Sequence, residues 1–148
     1  MLVRESLWGF QILVAIHIMG LALSVGTLAW FDLRLSGLTM ALMPVSGVYR
    51  RLIPWAAVGF VVMFVSGGLL FIGFAASAYG NVYFRIKLLA LASAGVNAAV
   101  YHRFTERDLA RWDADPCPPL AARLAGGASL LLWTVVILCG RMISYTLY

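Results

Sequence analysis

Charge is scarce in this chain: Asp, Glu, Lys and Arg make up 11% of its 148 residues. A soluble domain of that length has too little interior for a composition that is 63% hydrophobic. Cysteine is nearly absent, and Cys117 and Cys139 lack the CxxC spacing of a zinc site or of attached c-type haem. Cys117 sits in the Pro-rich segment "DPCPP" and Cys139 toward the far end of the last apolar run, which argues against a disulfide between them. Phosphate-binding glycine loops and paired catalytic carboxylates are missing. No Ser or Cys has a base at matching depth, so nucleophilic catalysis has no support. The net charge of +5 is spread between apolar runs and not gathered in one block, so nucleic acid is not an expected partner.

What the chain does have is four apolar runs. Ser6 to Phe31 carries no formal charge, and Pro54 to Phe74 is similar. Val82 to Tyr101 is charged only near its start, and Leu124 to Tyr148 is interrupted only by Arg141. Each meets the roughly 20 residues a helix needs to cross a bilayer. The first run is too long for a signal-peptide core and lacks a small-residue cleavage site, so it is expected to be retained. The connections are short, which predicts an all-α integral membrane protein, an antiparallel four-helix bundle forming one domain over residues 1–148. Trp8 and Trp30 frame helix one at the two interfaces. A short surface helix is expected between Gly37 and Arg51, before "YRRLIPW" opens helix two. "FAASAYGN" reads as a tight outer turn. Helix three is expected to run on as a solvated extension until Pro116, Pro118 and Pro119.

Arg34, Arg50, Arg51, Arg103, Arg107, Arg111 and Arg123 fall after helices one and three, against Arg4, Arg85, Lys87 and Arg141 at the other end. The positive-inside rule then puts both termini outside, in a bacterial inner membrane.

His17 interrupts the charge-free first run. Gly20, Ser24 and Thr27 fall within about 80° of it around the helix, a small and polar face suited to packing inside the bundle. On helix three, Lys87, Ala90, Ala94, Asn97, Ala98 and Tyr101 form a matching stripe. The two stripes predict that helices one and three lie side by side. An intramembrane histidine is a functional candidate, the alternative being a structural hydrogen bonder. At a rise of ~1.5 Å per residue, His17 lies roughly 3 Å and Lys87 roughly 9 Å outside the midplane, with His102 roughly 13 Å inside it. That offset disfavours one haem between His17 and His102. It favours His17 as a single axial ligand, with Lys87, Arg85 and Arg141 as partners for outward propionates. His102 is expected to pair locally with Glu106.

Together, His17, Arg34, "YRRL", "SGGLL" and "RIKLLALASAGVNAAVYHRF" resemble the HemJ-type protoporphyrinogen oxidases, small four-helix membrane proteins of bacteria. The resemblance implies haem b, an oxidoreductase acting on a porphyrinogen, His17 as axial ligand, Lys87 as the functional lysine, and Tyr101 and His102 as the terminal pair. "GLALSVGTLAWFDLRLSGL" also resembles an uncharacterised family of bacterial four-helix membrane proteins, and helix three is similar to CopD-type copper-transport domains.

The function expected is therefore a membrane b-type haem protein with a redox role, in electron transfer or porphyrin oxidation. Its metal ligand would be His17, with Lys87, Arg85, Arg141, Ser24, Asn97 and Tyr101 around the cofactor. Two alternatives stand beside it: a copper-handling protein using His17 with Met19, Met63 or Met142, and a non-catalytic subunit packed in a larger membrane complex. The bilayer is the expected partner; a redox partner and a homo-oligomer stay open.

Overall fold

The computed structural model describes residues 7–146, without the side chains of residue 7 and of residues 74–78. Arg4, Ser6 and Tyr148, which entered the sequence reading, lie outside the described residues. Four helices are long and apolar enough to cross a membrane, and no strand occurs among the described residues. The chain is an all-α membrane four-helix bundle. Helix α1 spans Leu7–Leu35, α2 Val45–Gly80 and α3 Val82–Val100. A π-helical turn, Tyr101–Thr105, and a 3-10 turn, Glu106–Asp108, carry the third span on to the short α4, Leu109–Trp112. The last span is α5, Leu120–Thr146.

Local chemistry sets the ends. Helix α1 stops where Gly37 takes a positive φ of 76°. There Leu38 N–H donates to Leu33 C=O and Gly37 N–H to Arg34 C=O, the paired bonds of a Schellman cap. The turn expected over "FAASAYGN" shrinks to Asn81, because α2 runs on to Gly80; the Asn81 side-chain oxygen accepts from the amides of Tyr83 and Phe84 and caps α3. Its amide nitrogen donates to the Thr146 hydroxyl at 2.7 Å, tying that turn to the end of α5.

Helix two differs from expectation. It starts at Val45, leaves no separate surface helix before it, and carries Pro54 inside it. The cause is a cap from a distant segment. Asp113, 67 residues further on, accepts from the Ser46 amide at 2.7 Å and the Ser46 hydroxyl at 2.6 Å. The Asp113 carbonyl accepts from Val45 N–H. A carboxylate at a helix N-terminus meets unpaired amides and the positive end of the dipole. Partial burial pushes the Asp113 carboxyl up, but the two Ser46 bonds, with Arg34 and Arg50 nearby, hold it below the usual range.

The packing corrects the expected helix order. Helix α1 packs along α2 and α3 along α5, and a contact between α1 and α5 joins the two pairs. Helices α1 and α3 are not a packed pair, and α2 and α3 touch little although only Asn81 separates them. The small stripe of α1 is spent on α2. A Cβ added at Gly59 would lie 2.5 Å from the Ser24 amide nitrogen and 2.8 Å from the Gly20 carbonyl. One added at Gly20 would lie 2.8 Å from the Met63 nitrogen. Backbones this close gain van der Waals contact, which is what associates helices where lipid removes the hydrophobic drive. The stripe of α3 serves α5: Ala90 is buried with Trp133 and Val136, and the Asn97 side chain donates to the Ala125 carbonyl at 2.9 Å.

Gly59→Ala is therefore expected to pry α1 from α2 and cost about 1–3 kcal/mol by overpacking. Gly68 and Gly95 have nothing within 4 Å of an added Cβ. Alanine there should leave stability unchanged or raise it by up to about 1 kcal/mol, through helix propensity alone. Thermal unfolding of the three variants in one detergent checks the contrast.

Candidate functional site

His17 sits in the N-terminal half of α1 and turns toward α2. Its Nδ1 lies 3.0 Å from the Met63 carbonyl and 3.1 Å from the Ser66 hydroxyl oxygen. The carbonyl can only accept, and Ser66 donates its own proton to the Val62 carbonyl at 2.6 Å. The network therefore assigns the proton to Nδ1 and leaves Nε2 with a bare lone pair. The imidazole fits because residue 67 is glycine: a Cβ there would lie 2.9 Å from the His17 Cε1. A backbone carbonyl fixing the tautomer, with the other nitrogen open, is the arrangement that orients metal-bound histidines.

Lys87 approaches the same space from α3. Its Nζ lies against α5, where a Cβ at Gly140 would be 3.8 Å away. The ammonium is close enough to bear electrostatically on His17. It is half-buried and has no ion-pair partner among the described residues. His17 and Lys87 are thus within electrostatic reach of each other, without a direct contact, although their helices are not packed neighbours.

The other expected residues are dispersed. Arg85 donates to the Tyr79 carbonyl at 3.3 Å and stacks on its ring, while Arg141 lies over the Tyr145 ring; both are exposed. Ser24 is buried where α1 crosses Gly59. Asn97 bonds across to α5, as above. Tyr101 is buried at the arginine-rich end, edge-on to Phe31 at 6.3 Å. Phe31 is 14 residues along α1 from His17, about 21 Å at the helical rise. His102 is exposed, pairs with Glu106 as the i to i+4 spacing predicts, and packs edge-on against Tyr49. It belongs to that end and not to the His17 site. Met19 faces outward and Met63 is packed with Ala90, Trp133 and Val136. No group of three or more His, Cys, Asp or Glu gathers among the described residues.

Two residues not expected in the site from the sequence are the buried ionisable side chains of α1. Arg34 is completely buried; its Nε donates to the Met43 carbonyl at 2.8 Å and one Nη to the Asp115 carbonyl at 2.9 Å, leaving the other Nη without a partner. Asp32 is 4% exposed, and its Oδ2 has no partner. Two ionisable residues so close to the end of an apolar run read in sequence as an interface boundary. Only a fraction of such residues turn inward, and nothing local tells which.

No curated protein and no solved structure matches the chain. The family model that does match covers residues 9–146, nearly its whole length, and is described as a family of unknown function. With the match running through all four spans, the chain belongs to the DUF6644 family.

Proposed function

We propose that this protein binds haem b inside the membrane and serves a redox role, in electron transfer or in oxidation of a porphyrinogen. The observation that carries the reading is the His17 imidazole, held through Nδ1 by the Met63 carbonyl with Nε2 left open. Lys87 adds a cation within electrostatic reach of His17, with no ion-pair partner among the described residues, suited to a propionate. Burying a neutral imidazole and one lysine is tolerable when a ligand completes both. Bound there, haem would supply one-electron chemistry, while the protein sets its orientation and surroundings. Arg85 and Arg141, held by Tyr79 and Tyr145, would have to turn from those rings to help. The resemblance to HemJ-type oxidases, carried by His17, Lys87, Tyr101 and His102, points the same way.

A visible spectrum of the purified protein, before and after haem reconstitution, tests the proposal. A Soret band supports it. Stoichiometric copper without one would favour the copper-handling alternative. Neither would leave His17 as a structural bond to α2, as in a packing subunit of a larger complex.

The proposal includes an orientation, with the arginine-rich connections cytoplasmic and both termini outside a bacterial inner membrane. Cys117 is exposed in one of those connections, and Cys139 is buried within α5. A membrane-impermeant maleimide should therefore leave intact cells unlabelled and label Cys117 once they are permeabilised. Labelling of Cys117 in intact cells would reverse the topology.

A further inference from the structure

Asp32 lies three residues before the end of α1, where that helix meets α5. The contact is close: a Cβ at Gly126 would sit 2.7 Å from the Asp32 carbonyl oxygen and 2.8 Å from the Ser36 hydroxyl. The seam leaves little room for water. The Ser129 hydroxyl of α5 lies beside the Asp32 carboxyl, whose Oδ2 is buried without a partner.

No cation compensates it. Among the described residues Asp32 forms no ion pair. On its own helix, Arg34 is turned to the Met43 and Asp115 carbonyls, and Ser36 bonds the Asp32 backbone and not its carboxyl. From the third span Tyr101 faces it and contributes no positive charge. Arg50 of α2 bears on Asp113 instead. An unpaired carboxylate removed from water is too costly to persist, and such a group takes a proton. A neutral acid suits the surroundings, since its carbonyl oxygen can accept from Ser129 and no counter-charge is required.

We infer that Asp32 is a proton-binding site: its carboxyl holds a proton at neutral pH within the α1–α5 seam at Gly126 and Ser129. The carboxylate oxygen takes that proton from water, forming one O–H bond, and no electron moves. The inference does not depend on haem, because Asp32 is 15 residues from His17, about 22 Å along the helix.

Infrared spectroscopy of the full chain in lipid nanodiscs tests it. Only six Asp and Glu residues are present, so a carboxylic-acid C=O band at neutral pH is assignable. The wild-type protein should show one such band per chain, shifted in heavy water, and Asp32→Asn should lack it. Absence of the band in the folded wild type, or its survival in Asp32→Asn, overturns the site. Should Asp32→Asn fail to fold, Ser129→Ala answers the same question. It removes the hydroxyl beside the carboxyl, so the band must move in frequency, and an unmoved band assigns the proton elsewhere. Loss of the wild-type band on adding sodium at constant pH would mean that a metal cation, and not a proton, is the ligand.

Discussion

His17→Ala is expected to abolish the spectrum of the proposed haem, or reduce it to that of loosely held cofactor, while His102→Ala leaves it intact. The geometry separates the two histidines. His17 is fixed by the Met63 carbonyl beside Gly67, whereas His102 pairs with Glu106 and packs on Tyr49 at the other end of the bundle. Lys87→Ala should weaken retention of the proposed haem while leaving His17 in place, and Arg141→Ala should do so less, because Arg141 lies over Tyr145. Ser66→Ala removes the second Nδ1 contact but spares the Met63 carbonyl, so a shifted spectrum is expected there, not a lost one. The order of effects is the measurement, read as haem per protein and Soret position in one preparation series. Equal loss in His17→Ala and His102→Ala would place both rings at one iron, against the depth separation.

Arg34→Met is expected to be among the most destabilising single changes in the chain. The guanidinium is completely buried and bonds two segments far apart in sequence, the Met43 carbonyl before α2 and the Asp115 carbonyl after α4. Its loss strands both carbonyls, at roughly 1–3 kcal/mol each for an unsatisfied buried group. The Asp113 cap on α2 lies in the same connection as Asp115, so Val45 and Ser46 lose part of their support as well. A total of about 3 kcal/mol or more is expected. Arg34→Lys keeps the charge but not the forked donors, and should fall between Met and wild type. Arg50, which is exposed, supplies the control: Arg50→Ala should stay within about 0.5 kcal/mol. Thermal unfolding and protease cutting near Met43 and Asp115 would show whether those connections loosen together.

The four spans and their alternating direction were legible in the sequence, because a charge-free run of bilayer length has few other stable solutions. So were a turn near Asn81, though not the run of α2 through "FAASAYG" up to it, the pairing of His102 with Glu106, and the oddity of His17, which depend on residue type and spacing within one segment. Which helices face each other was not legible. The stripes on α1 and α3 are real, but in lipid a small stripe says only that some backbone comes close, not whose. Gly59 of α2 and the Ala125 carbonyl of α5 made that choice, through contacts and a hydrogen bond that exist only once the helices are placed. The tautomer of His17, the start of α2 under Asp113, and the burial of Arg34 and Asp32 belong to the same class. Each joins groups far apart in sequence, as Ser46 with Asp113 and Arg34 with Asp115, whose meeting no local period encodes. Periodicity told each helix which face to hide, and close backbone approach and long-range polar bonds decided against what.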